Sequence, residues 1–167
     1  MKHTGIIRRI DELGRIVIPK EIRKRLGIDN GDLVDIFAYE EQIVLTKFHP
    51  LNEVINSITL FTKALRDLYQ VDYLIVDKEE VVASNIKEVI GKKISNDFFS
   101  KIKDFVGVEV KLSMLNLKIM DLAYDIYALP IIKDSDFFGY AIVIDKMISK
   151  SHKDFCLILA NYIKELL

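Results

Sequence analysis

The sequence predicts an α+β protein in two units: a small β-rich unit over residues 1–50, then a larger antiparallel sheet with flanking helices over 51–167. Three observations carry this. Short β-branched runs at 5–10 and 15–18 flank the turn-forming Asp11-Glu12-Leu13-Gly14. His49-Pro50 interrupts the pattern and marks a boundary. Beyond it the periodicity reads helix, two strands, helix, three strands, helix, an order that builds a sheet covered by helices.

In the first unit the two runs predict a strand, a turn and a second strand. Pro19 then suits the first position of a helix and Glu21 its positive end. Ile18, Ile22 and Leu26 recur every fourth residue, so one stripe should face a core, and Gly27 should stop the helix. Asp29-Asn30-Gly31-Asp32 reads as a turn, followed by strands at 33–39 and 43–48 joined tightly through Glu40-Glu41. A lone β-rich unit of about 50 residues struggles to cover its core and leaves strand edges open. Pairing two chains removes both problems, so an obligate dimer with strands of both chains in one barrel is expected.

In the second unit Leu51, Val54, Ile58, Phe61, Leu65 and Leu68 are spaced 3, 4, 3, 4, 3 on a linker helix over 51–70. Two readings of this seam stay open: a helix packed on its own unit, or one that also pairs across an oligomer. Strands are expected near 72–77, 80–84, 108–115, 124–132 and 138–145, with Lys133-Asp134-Ser135-Asp136 as a hairpin loop. A helix is expected over 95–106, with Phe98, Phe99, Ile102 and Phe105 on one side, and another over 151–167, with Phe155, Leu159, Tyr162 and Leu166 in a stripe.

The chain is 50% hydrophobic and 29% charged with a net charge of −1, which suits a folded core and argues against a nucleic-acid binder. The distribution of that charge points the other way. Residues 1–25 hold eight Lys or Arg against Asp11, Glu12 and Glu21, a local charge of +5, and the remainder carries −6. Five of the six arginines, Arg8, Arg9, Arg15, Arg23 and Arg25, fall between 4 and 25; Arg66 is the sixth. Arginine presents a rigid fork that matches phosphate oxygens and guanine edges, whereas lysine is a solvated point charge. Nearby charge counts most under physiological screening, so a basic face on a near-neutral protein can hold duplex DNA. The bland alternative is a solvated strand face at Arg8 and Arg9, with Arg23, Lys24 and Arg25 favourable at a helix end.

These residues resemble a known pattern. Thr4 through Arg8, Asp11 through Pro19 and Glu21 through Lys24, continuing to Lys47-Phe48, are similar to the AbrB-type transition-state regulators. The resemblance implies a dimeric swapped-hairpin β-barrel that binds double-stranded DNA through Arg8, Arg15, Arg23 and Lys24, with Arg9 and Lys20 secondary. Lys24 is usually arginine in that family, which weakens a bidentate contact there but not a phosphate contact. Tyr127-Ala128-Leu129-Pro130-Ile131-Ile132 with Gly139-Tyr140-Ala141-Ile142-Val143-Ile144 resembles the closing hairpin of a GAF domain, which implies a GAF-like sensing or oligomerisation unit. The stretch between 85 and 108 is short for that fold, which puts a small-molecule pocket in doubt. The family implies a sporulation or transition-state transcription regulator, a homodimer or homotetramer, with a small-molecule effector as an open question.

Other chemistries have little support. The single Cys156 excludes internal disulfides and reads as a buried hydrophobe. No Gly-rich phosphate loop or nucleophile–base motif can be read, so neither an enzyme nor a cofactor is expected. Asp29, Asp32 and Asp35 do not fit a calcium loop, and His3, His49 and His152 lack partners at ligand spacing, so no metal is expected. No apolar run approaches the ~20 residues that span a bilayer and no signal peptide precedes the first motif, so the cytoplasm, at the nucleoid, is the expected compartment. A GAF-type enzyme and an AbrB-fold antitoxin with a flexible tail are the competing functions.

Overall fold

The computed structural model describes residues 6–95, 108–111 and 124–167. The chain divides into two compact units, 1–48 and 49–167.

The first unit contains helix α1 (Lys20–Leu26) and a two-stranded antiparallel hairpin, β1 (Val34–Tyr39) and β2 (Gln42–Lys47). Pro19 is the cap of α1 rather than its first residue, and Gly27 ends it at φ 66° with its N–H donated to the Arg23 carbonyl. The β-turn residue Glu40 takes a positive φ of 52°, which lets Tyr39 pair directly with Gln42. The expected strands at 5–10 and 15–18 are a correction: residues 6–10 and 15–18 are not strands in the single chain, and its β1–β2 hairpin does not close into a barrel. A strand exists only against a hydrogen-bonded neighbour, and one chain supplies none for these runs. The stripe on α1 likewise faces no core. Ile22 is half-buried, Leu26 is 48% exposed and α1 has no buried residue. Among the described residues of this unit only Ile28 is buried, while Ile7 is 88%, Leu13 74% and Val17 75% exposed.

Among the described residues the second unit holds a five-stranded antiparallel sheet in the order β4-β3-β7-β6-β5. Its strands are β3 (Asp72–Val76), β4 (Val81–Ser84), β5 (Val108–Lys111), β6 (Asp125–Lys133) and β7 (Asp136–Asp145). Alternate side chains on β3, β6 and β7 divide two cores. Tyr73, Ile75, Leu129, Ile131, Ala141 and Val143 pack beneath helices, and Leu74, Val76, Ile126, Ile142 and Ile144 pack on the opposite face with Val81, Val89 and Ile94. Burial on both faces explains why 74–76 and 141–144 read as unbroken apolar runs.

The helical side begins with α2 (Pro50–Glu53), breaks at Val54 and continues as α3 (Ile55–Tyr69). Leu51, Val54 and Ile58 are buried in this unit's own core, Phe61 and Leu65 are partly buried, and Leu68 is 76% exposed. Phe61 stacks on Tyr162 of the last helix, α4 (Lys150–Leu166), with ring centroids 3.9 Å apart. Ser149 caps α4 by a reciprocal pair: its Oγ accepts the His152 N–H and His152 Nδ1 accepts the Ser149 N–H. Asp134 and Ser135, at φ 50° and 72°, form the two-residue β6–β7 turn. The helix expected over 95–106 falls almost wholly outside the described residues, as do 112–115 of the strand expected at 108–115.

Gly139 is where the sheet tolerates no side chain. Its φ is 152°, and a Cβ there would lie 2.0 Å from the Val76 carbonyl oxygen on β3. Gly139→Ala should therefore destabilise the second unit by about 3 kcal/mol, measured by urea unfolding.

Candidate nucleic-acid interface

Arg15, Lys20, Arg23, Lys24 and Arg25 lie on two local scaffolds of the first unit. The first is the turn at 11–15. The Gly14 N–H donates to the Asp11 carbonyl at 2.9 Å and the Asp11 N–H to the Arg15 carbonyl at 3.0 Å. Gly14 meets the turn's need for a positive φ at 76°. The Asp11 carboxylate completes it. Oδ1 accepts the N–H of Leu13 at 3.0 Å and of Arg15 at 2.8 Å, and Oδ2 accepts Arg15 Nε at 2.7 Å. Arg15 and Asp11 remain exposed, with 72% and 42% of their side chains in solvent. Upstream of the turn, Arg8 and Arg9 are exposed, and the Arg8 guanidinium donates to the Ile7 carbonyl at 3.0 Å.

The second scaffold is α1. Lys20 opens the helix, and Arg23, Lys24 and Arg25 occupy its last turn, where positive charge complements the carbonyl end of the helix dipole. Arg23 is half-buried and donates to Asn30 Oδ1 at 2.9 Å, whereas Lys20 and Lys24 are exposed. The turn after α1 is fastened separately. Asp32 accepts the Asp29 N–H at 2.9 Å and pairs with Lys47 at 3.0 Å, and Lys47 also donates to the Gly27 carbonyl at 3.0 Å. Asp32 thus serves turn and ion-pair chemistry. Among the described residues no group of three or more His, Cys, Asp or Glu could hold a metal ion.

Of the six expected contact residues, Arg15 lies in the 11–15 turn, Lys20, Arg23 and Lys24 lie on α1, and Arg8 and Arg9 precede the turn. Arg15 is fixed by Asp11 and Arg23 by Asn30, while Arg9, Lys20 and Lys24 extend into solvent. Sequence reasoning does not single out Asp11 and Asn30 as partners. An Asp four residues before an Arg across a Gly-containing turn is the signal that could have found the first.

Two groups outside this unit, His49 with Asp77 and Cys156, are engaged in local structure. His49 Nδ1 lies 3.0 Å from Asp77 Oδ2, and Asp77 Oδ1 accepts the N–H groups of Glu79 and Glu80. Cys156 is fully buried, its Sγ 3.2 Å from the Ala141 carbonyl, and burial pushes its thiol up to about 12. Among the described residues, no helix is long and apolar enough to cross a membrane.

With this geometry in view, the comparisons define the class of the first unit. Residues 7–48 match the model of the family described as "Antidote-toxin recognition MazE, bacterial antitoxin", and the unit is of the MazE/AbrB type. The chain is 41% identical over 99 residues to stage V sporulation protein T of Bacillus subtilis (strain 168), covering 57% of this chain and 56% of that protein. The transition state regulatory protein AbrB of the same organism is 52% identical over 50 residues, covering 30% of this chain and 52% of AbrB. A solution structure described as the N-terminal DNA recognition domain of AbrB is also 52% identical; it covers 29% of this chain and 91% of that one, with a TM-score of 0.25. The cofactor-binding GAF domain of CodY from Clostridium difficile, 14% identical, covers 70% of this chain and 93% of that one with a TM-score of 0.48. The chain spans about half the length of the curated relatives it matches.

The backbone N–H and then the side chain of Arg15 hold the Asp11 carboxyl below its ordinary value of 3.8. Because the folded value is depressed, the turn's contribution to stability is present above 3.8 and is lost as pH falls through the lower folded value. An NMR titration of the Asp11 carboxyl carbon should find its midpoint below 3.8, and Arg15→Ala should move that midpoint upward.

Proposed function

We propose that this chain is a DNA-binding transcriptional regulator of the sporulation or transition-state type, acting through a basic face on the first unit of an obligate homodimer. The observation that carries the reading is the confinement of five of six arginines to residues 4–25, in a segment 52% identical to a domain described as recognising DNA. Arg8, Arg9, Arg15, Lys20, Arg23 and Lys24 are the proposed contacts. Most are exposed, and Arg15 and Arg23 are held by acceptors from their own chain, which lowers the cost of ordering them on a phosphate backbone. Among its described residues the first unit offers no long helix for a groove, since α1 has 7 residues. Backbone contacts and DNA shape should therefore dominate over base reading.

The dimer is supported by what the first unit leaves in water. Ile7, Leu13 and Val17 are more than 70% exposed, and among the described residues of this unit only Ile28 is buried. Swapping the 6–18 segment into a second copy would give these runs strand partners and close a barrel. A further step to a homotetramer is supported by apolar positions on the second unit: Leu60 is 69%, Leu68 76% and Leu157 50% exposed. Of the expected seam, Leu51, Val54 and Ile58 already serve the internal core, which leaves Leu68 with Leu60 as the outward pair on α3. We read the second unit as GAF-like, on the hairpin pattern at 127–132 and 139–144. A small-molecule effector there is supported by that resemblance alone, and assembly is the favoured role. A DNA-bound regulator of this kind belongs at the nucleoid.

The antitoxin reading draws on the description of the matched family. The regulator reading is preferred because residues 49–167 form a unit with two cores of their own, whereas wrapping a toxin calls for an unfolded extension. Limited proteolysis should leave a stable fragment starting near residue 49; rapid digestion to the end of the chain favours the antitoxin.

Arg15→Ala and Arg23→Ala should each weaken binding to duplex DNA by at least about tenfold, read by fluorescence anisotropy, with sedimentation unchanged. If the dimer neutralises about six to eight phosphates, affinity should fall roughly a thousandfold or more between 50 and 200 mM salt. Unaltered affinity in both variants contradicts the assignment.

A further inference from the structure

Asp11 carries a negative charge on the exposed turn that the proposed function turns toward a polyanion. A carboxylate there repels phosphate, and on charge alone its removal should tighten DNA binding. The geometry gives it another task. Arg15 is 72% exposed, and an unrestrained arginine side chain loses much rotamer freedom when a ligand fixes it. Asp11 Oδ2 takes the Nε–H of Arg15 at 2.7 Å, while Oδ1 of the same carboxylate is fixed by the Leu13 and Arg15 backbone N–H groups. The carboxylate is itself anchored, so the bond sets the plane of the guanidinium. It engages only Nε–H; the terminal nitrogens, which make paired contacts with phosphate or guanine, are not required for it.

We propose that Asp11 is a positioning residue for DNA binding, holding the Arg15 guanidinium so that its terminal nitrogens meet the nucleic acid. This inference rests on the DNA-binding reading above. It makes a prediction opposite in sign to simple electrostatics: neutralising an acidic residue on the binding face should weaken the complex.

The test uses the full chain and a fluorescein-labelled mixed-sequence duplex at low salt, with Asp11→Asn, Arg15→Ala and the double variant. Asparagine keeps the Oδ1 acceptor that the turn needs and replaces Oδ2 with an amino group that cannot accept from Nε. Asp11→Asn should weaken binding by about fivefold, the upper range for an exposed ion pair. In the Arg15→Ala background the same change should cause no further loss, because the residue through which Asp11 acts is gone. Equal or tighter binding by Asp11→Asn overturns the proposal. Equal weakening in both backgrounds also overturns it, since a damaged turn would act without regard to Arg15. If the unsubstituted chain ignores the duplex, the DNA-binding reading fails first and the positioning role falls with it. That outcome is distinct from normal binding that is indifferent to Asp11→Asn.

Discussion

One chain supplies the first unit with a seven-residue helix and a two-stranded hairpin, too little to bury its own apolar side chains. Ile28 alone is buried there among the described residues. Fully burying an aliphatic side chain is worth about 1.5–3 kcal/mol, so Ile7, Ile10, Leu13, Ile16 and Val17 together forgo several kcal/mol by standing in water. A two-stranded hairpin is marginal by itself. The second unit shows the contrast: its sheet is covered on both faces, and each of its described strands has a partner within one chain. On the proposed reading, this asymmetry makes assembly a condition of folding for the basic unit.

The same shortage of core bears on function. Dimerisation would double every cationic group and place two copies of each scaffold on one body. Those scaffolds are built from local chemistry that needs no partner. The Asp11–Gly14 turn is closed by its own backbone and carboxylate bonds, and α1 ends on Gly27 with Asn30 beside Arg23. The local pieces are held by short-range bonds, and on the proposed reading a barrel shared by two chains would set the distance between them. Exposed ion pairs add little stability, which suits the Asp11–Arg15 pair to orientation rather than to holding the fold.

Much of the second unit is legible in the sequence because its elements obey simple periods. The strands at 72–76, 81–84, 125–133 and 136–145 fall within a few residues of expectation, and Asp134-Ser135 forms the expected turn. The linker helix is legible in position but not in its break at Val54, where the N–H reaches only three residues back to Leu51. Its heptad spacing leaves two readings open because an amphipathic helix on a sheet and a coiled-coil seam share that spacing. Leu51, Val54 and Ile58 serve the sheet, whereas Leu68 does not. In the first unit the β-branched runs have the pattern of strands, but strand formation depends on a neighbour that local sequence does not contain. The basic residues are legible from arginine's uneven use. Their anchors are not, since Asp11 and Asn30 look like ordinary turn residues until the turn has closed.

If residues 6–10 and 15–18 gain their strand partners from a second chain, their amides must be protected only while the chains are paired. Hydrogen exchange of the intact protein, followed over a dilution series alongside sedimentation, reads this out. The expected result is strong protection of the Ile7–Ile10 and Ile16–Ile18 amides in the assembled state, lost together with the assembly on dilution. Fast exchange at these amides at every concentration, or full protection in a chain that sediments as a monomer, would contradict it.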